Sequence, residues 1–150
     1  FLKWGIETAT MGFNVEVAYH TLAIILSGAF DRFPKLKIVI GHGGEGLPFW
    51  LYRMDFMQNA VLGNRRDLKP VKRKISEYLK ENVWITTSGM AWAPAIVFCQ
   101  QVLGADRVLY AMDYPYQYVA KEVRVTDRLP ISPRHLKMLY QTNAEKVFGL

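Results

Sequence analysis

Two residues in this chain sit where an α/β fold places its chemistry. His42 follows the apolar run Lys37-Ile38-Val39-Ile40 and lies in Gly41-His42-Gly43-Gly44-Glu45-Gly46, ahead of Pro48. Asp113 follows Arg107-Val108-Leu109-Tyr110-Ala111-Met112 and precedes Tyr114-Pro115. An imidazole and a carboxylate at the C-terminal ends of two parallel strands can converge on one ligand, substrate or metal ion. The glycines clear space beside His42, and Pro115 fixes the turn that carries Asp113. Plain structural roles compete with this, His42 capping the end of a sheet and Asp113 capping a turn or helix.

Other motifs carry less. Gly41 to Gly46 formally matches the dinucleotide pattern G-x-G-x-x-G between a strand and a helix. Against that reading, the next strand ends in Thr87-Ser88-Gly89 with no acidic residue for a ribose. Glu45 would also repel a phosphate, and Pro48 delays the helix. His20, beside Tyr19, reads as a packed helix residue, and His135 as a solvated one. The chain has no Cys/His zinc cluster and no Gly-x-Ser-x-Gly elbow.

The elements that must position His42 and Asp113 alternate in type. Val15–Phe30 has helical spacing and stops near Pro34; Leu36–Ile40 reads as a buried strand and Leu47–Leu62 as a helix. Val71–Glu81 is a basic helix, Val83–Thr87 a strand, and Pro94–Leu103 a helix closed by Gly104. Val108–Met112 is a strand, Tyr118–Thr126 a short helix and Pro133–Gln141 a helix. Asn143 is placed to cap a last turn, Ala144–Phe148. Strands alternating with helices predict right-handed βαβ units and a parallel sheet. The expectation is that the three strands lie parallel and adjacent, with His42 and Asp113 at the same end. Three strands make no closed barrel, so the chain reads either as a small α/β layer or as the C-terminal part of something larger. Its opening on Phe1 favours the second.

Composition narrows the function classes. An apolar fraction of 51% supports a real core rather than disorder. The net charge of +6 is concentrated at Arg65, Arg66, Lys69, Lys72, Arg73 and Lys74, with no interleaved aromatics for base stacking. That pattern reads as a solvated face, so no nucleic-acid partner is expected. No run reaches the roughly 20 apolar residues of a membrane span. Cys99 is the only cysteine, which excludes an internal disulfide and suits a reducing cytoplasm.

Taken in order, the motifs resemble a family. Gly28-x-Phe30-Asp31-Arg32-x-Pro34-x-Leu36-Lys37-Ile38-Val39-Ile40-Gly41-His42-x-Gly44-Glu45-Gly46-x-Pro48 is similar to the amidohydrolase-related metal-dependent decarboxylases. The likeness continues through Asn82 to Gly89, Gly104 to Tyr110, Asp113-Tyr114-Pro115 and Asn143-Ala144. The resemblance implies the C-terminal portion of a TIM (β/α)₈ barrel, strands six to eight with their helices. Residues 1–150 would be part of a single metal-dependent hydrolase-like domain. It implies non-oxidative decarboxylation of a small aromatic or unsaturated carboxylate such as a hydroxybenzoate. The alternatives are hydrolysis by an activated water and a non-catalytic barrel fragment. In this resemblance His42 is the acid/base, and Asp113 is a metal ligand or the donor of the ring proton. Glu45 orients His42, Arg53 contacts the substrate carboxylate and Tyr116 packs on its ring. The implied cofactor is a divalent metal ion, zinc or manganese, with the remaining ligands upstream of Phe1. The implied partners are the N-terminal part of the barrel and further copies of the chain, as a homodimer or homotetramer. Two departures stand out: Gly43 replaces a Met or Leu, and Gln117 a Glu.

Overall fold

The computed structural model describes residues 2–62, 67, 70–117 and 119–150. Arg65, Arg66 and Lys69 of the basic cluster lie outside the described residues, as does Tyr118. The elements in chain order are α1 (Gly12–Leu26), α2 (Ala29–Arg32), β1 (Ile38–Ile40), α3 (Leu47–Leu62) and α4 (Ile75–Glu81). They continue with β2 (Val83–Thr86), α5 (Ala93–Leu103), β3 (Val108–Leu109), α6 (Lys121–Asp127), α7 (Pro133–Lys137) and α8 (Asn143–Phe148). The contacts group into two compact units, 1–36 with 45–82, and 37–44 with 83–150.

In the first unit α1, α2, α3 and α4 pack through aromatic and polar contacts. The predicted helix Val15–Phe30 is broken at Gly28, which takes a left-handed φ of 74°. A single turn, α2, follows the break. It buries Phe30, which stacks on the buried Tyr78 ring of α4 at 6.0 Å. The Tyr78 hydroxyl donates to Asp31 Oδ1 at 2.6 Å, and the Lys72 backbone N–H donates to Asp31 Oδ2 at 3.1 Å. The hydrogen bond from Tyr78 holds the Asp31 carboxyl below its ordinary value. Desolvation, reinforced by that carboxylate, pushes the Tyr78 hydroxyl up.

Helix α4 begins at Ile75, later than the predicted Val71. Its exposed backbone N–H groups are met by α3: Ser76 N donates to Asp55 Oδ1 at 3.0 Å, and Ile75 N to Gln58 Oε1 at 2.9 Å. The Lys74 N–H reaches Glu77 Oε2 at 2.9 Å. These bonds fix the start of the helix four residues after Val71.

The second unit holds the sheet. β1, β2 and β3 are parallel in the order β1-β2-β3, with Ile40 beside Ile85 and Ile85 beside Val108. Trp84 and Leu109 are buried with Val147 of α8. Arg107 lies over the Trp84 ring at 4.4 Å, and the Trp84 Nε1–H donates to the Asp106 carbonyl at 3.0 Å.

Strand β3 is two residues long, not the predicted five, because its backbone leaves the ladder. The Tyr110 N–H donates to the Leu139 carbonyl at 2.8 Å. The Ala111 N–H goes to the Thr87 hydroxyl at 3.1 Å, and that hydroxyl lies 3.0 Å from the Ala111 carbonyl. Leu139 belongs to a wider π-helical turn, Met138–Thr142, that replaces the end of the predicted helix Pro133–Gln141. Asn143 does not cap α8. It is buried within the helix and its Nδ2 donates to the Ala105 and Val108 carbonyls, both at 2.8 Å.

Candidate active site

Three loops leave the C-terminal ends of the three strands; the first as far as Gly44 and the other two belong to the second unit. The first, after β1, turns through His42–Gly44 and is closed by the Gly44 N–H on the Gly41 carbonyl at 2.8 Å. His42 takes a left-handed φ of 49° there. A non-glycine residue in that region stores strain of order 1 kcal/mol, the kind of outlier found at working sites. Its backbone N–H points to the Ser88 hydroxyl at 3.4 Å, which is 3.0 Å from the Thr86 hydroxyl. The second loop is thereby tied to the first.

The third loop carries Asp113. The Thr87 hydroxyl extends β2–β3 pairing to Ala111, and Asp113 then pairs with Gln117 through an N–H···O bond of 2.7 Å. A cis Tyr114–Pro115 peptide lies within that short loop. Gln117 Nε2 reaches back to the Gly89 carbonyl at 3.3 Å and to Glu122 Oε1 at 3.0 Å. One side chain thus links the loops after β2 and β3.

These loops bring His42 and Asp113 together. His42 Nε2 lies 3.7 Å from Asp113 Oδ2, with the two side chains 39% and 31% exposed. That is ion-pair range and just beyond a direct hydrogen bond. Both groups are open enough to meet a ligand. Gly89 makes the approach possible: a Cβ built there would lie 2.9 Å from His42 Cδ2 and 3.6 Å from Asp113 Oδ2. Its φ of 65° also disfavours a side chain.

The other residues named from the sequence are placed as follows. Tyr116 follows Asp113 in the third loop and is 91% exposed. Glu45 and Arg53 belong to the first unit. Glu45 is buried with a left-handed φ of 54°. Arg53, on α3, lines a groove with Leu22, Trp50, Met54 and Met57. His135 is exposed as expected. His20 is exposed rather than packed, its ring only edge-on to Tyr19 at 6.4 Å. Sequence reasoning read Thr87, Ser88 and Gly89 only as a strand end and Gln117 only as a replaced Glu, and gave none of them a part in holding the site together. A hydroxyl pair and a glycine directly after a buried strand were the available signal. Beneath the site, buried Cys99 points its thiol at the Gly43 carbonyl at 3.6 Å, and desolvation lifts it to about 11.

A divalent metal is the group the donor set must be tested against. A carboxylate and an imidazole are suitable donors. Among the described residues, however, no group of three or more His, Cys, Asp or Glu side chains comes together. The pair fits part of a coordination shell. The same pair fits acid–base work: each group can hold or release a proton at an atom facing the other.

Comparison with known proteins follows the same lines. A 5-carboxyvanillate decarboxylase from Novosphingobium aromaticivorans, solved with manganese and 4-hydroxy-3-methoxy-5-nitrobenzoic acid, is 54% identical, with a TM-score of 0.95 over 99% of this chain and 43% of that one. A dihydroxybenzoic acid decarboxylase from Polaromonas sp. JS666, solved with manganese and 2-nitroresorcinol, is 36% identical, with a TM-score of 0.85 over 95% of this chain and 42% of that one. The γ-resorcylate decarboxylase of Polaromonas sp. is 36% identical over 94% of this chain and 43% of its own length. The chain spans less than half the length of these relatives. The parallel sheet with its helices is therefore part of a TIM barrel, matching the C-terminal portion of the relatives. The family model for amidohydrolases matches residues 9–150, and the chain belongs to the amidohydrolase family.

Proposed function

We propose that the whole protein is a metal-dependent, non-oxidative decarboxylase of a small aromatic carboxylate. The observation that carries the reading is the 3.7 Å approach of His42 Nε2 and Asp113 Oδ2 at the C-terminal mouth of parallel strands. The names of the similar proteins, several of them hydroxybenzoate decarboxylases, support the substrate class. In this reading residues 1–150 belong to one barrel domain, and further ligands come from outside them.

Asp113 would be one ligand of the ion. When bound, a divalent cation neutralises the substrate carboxylate and its neighbouring phenol oxygen. The chain's own residues then manage one proton. The ring–carboxylate bond breaks, the electron pair stays on the ring carbon, and CO₂ departs. The same carbon takes a proton from the His42–Asp113 pair, at Nε2 of the imidazole or at the carboxyl. Gly89 keeps the gap between them open, and Gln117 holds the loop that presents Asp113. The roles of Arg53 as carboxylate contact, Tyr116 as ring contact and Glu45 as the group orienting His42 rest on the resemblance. Manganese is favoured over zinc because the similar structures hold it. No helix of the described residues is long and apolar enough to cross a membrane. A cytoplasmic homo-oligomer completes the proposal.

The test is a CO₂-release assay on the full-length protein with 5-carboxyvanillate and 2,6-dihydroxybenzoate, alongside metal analysis. Release of CO₂ with a stoichiometric divalent ion is expected. Hydrolysis of esters or amides without CO₂ release would make it a hydrolase, and inactivity on both classes a non-catalytic barrel.

A further inference from the structure

The second unit also holds a groove lined by Ala93, Lys121, Arg124, Val125 and Arg128. The groove lies between the two chain segments that leave the site. Ala93 opens α5, four residues beyond Gly89, and Lys121 opens α6, four residues beyond Gln117. The Gln117 side chain, bonded to both the Gly89 carbonyl and Glu122 Oε1, ties the first turn of α6 to the loop bearing Gly89.

The charges on α6 are sorted. Lys121 and Arg124 of α6, three residues apart, and Arg128 just past its end line the groove. The acidic residues of the same segment are engaged elsewhere: Glu122 accepts from Gln117 at 3.0 Å, and Asp127 accepts from the Tyr140 hydroxyl at 2.7 Å. Among the described residues, none of the three groove cations is held by a hydrogen bond or ion pair of its side chain. Three unneutralised cations in a concavity also lined by the apolar Ala93 and Val125 match an anion that carries an apolar body.

We infer that this groove is an outer binding site for small aromatic carboxylates, which captures the anion by its charge before it reaches His42 and Asp113. The inference rests on the substrate class proposed above. Like-signed charges in a cleft raise the local concentration of an oppositely charged ligand and speed its association, and salt screens the effect within a Debye length of about 10 Å at 0.1 M.

The probe is 4-hydroxy-3-methoxy-5-nitrobenzoate, a chromophoric ligand found with the Novosphingobium enzyme. Its association with the full-length, manganese-loaded protein is followed by stopped flow at low and high salt. The native association rate is expected to fall several-fold as salt rises. The triple variant Lys121→Gln, Arg124→Gln, Arg128→Gln should bind about 3- to 10-fold more slowly at low salt and lose most of the salt dependence, with dissociation unchanged. Arg124→Glu, which reverses one charge, should act in the same direction. Equal association rates for native and variant proteins would overturn the groove while leaving the substrate class standing. A change confined to dissociation would also overturn the capture role. Failure of the native protein to bind the probe would remove the substrate class and the inference together.

Discussion

The Cβ that Gly89 lacks would sit 2.9 Å from Cδ2 of His42, closer than side-chain carbons approach one another. The glycine is therefore part of the geometry of the pair, although it has no functional group of its own. Gly89→Ala should push the imidazole away from Asp113 and force a left-handed alanine, costing about 1–2 kcal/mol of stability. A displacement of about 1 Å at reacting groups can lower turnover by about 10²-fold. Steady-state assays with thermal melting of the full-length variant check both effects. Full turnover would show that the loop yields without moving His42.

Removing either member of the pair separates chemistry from folding. His42→Asn and Asp113→Asn are each expected to reduce turnover at least about 10²-fold, the scale of a lost acid–base group. Asp113→Asn should also lower bound metal, measured by elemental analysis, whereas His42→Asn should leave it in place. Both variants should fold, since His42 and Asp113 lie beyond the strand ends. Normal turnover in variants that melt much earlier would mark both residues as structural caps.

The Tyr78–Asp31 bond sets a pH dependence of stability. Its carboxylate is held below the ordinary value of 3.8, so the folded state binds this proton less readily than the unfolded one. The contribution is complete above that value and is lost as pH falls through the depressed one. Tyr78→Phe should cost about 1–2 kcal/mol near neutral pH, and the difference from the native protein should shrink in acid. Urea titrations at pH 7 and pH 3 give the comparison; a constant difference would show that the hydroxyl acts through packing instead.

Asn143 holds two carbonyls with one amide group. Asn143→Ala leaves the Ala105 and Val108 carbonyls buried without that donor and should destabilise by about 2–3 kcal/mol. Denaturant unfolding measures it. A loss below about 0.5 kcal/mol would mean that water replaces the amide.

Much of this arrangement was legible in the chain, for local reasons. The spacing of apolar residues and Pro48 placed α3 at Leu47–Leu62 as observed. The β-branched runs placed the strands, and the alternation of types placed them parallel. What escaped depended on distant partners. Nothing near Tyr110 announces that its N–H will bond Leu139, so β3 appeared longer than it is. Asn143 before an apolar turn has the local look of a cap, and only the fold reveals two carbonyls within reach. The histidine and aspartate stood out because each ends an apolar strand. Gly89 and Ser88 did not, because their contributions are a missing atom and a hydroxyl, and Gln117 drew notice only as a replaced Glu, because its bridge between loops depends on distant partners. Glu45 and Arg53 were named from resemblance rather than from spacing, and their roles stay within the proposal.

The Thr87 hydroxyl has a consequence for isotope exchange. It completes the pairing of β2 with the Asp113 loop in place of a backbone group, so the Ala111 amide is bonded outside any strand. In heavy water that amide should retain its proton far longer than its irregular surroundings would suggest. Its loss would then time the opening of the one loop that presents Asp113, with no label attached. Replacing Thr87 with the isosteric valine would erase that protection while keeping the shape, turning a single amide into a clock for the mouth of the barrel.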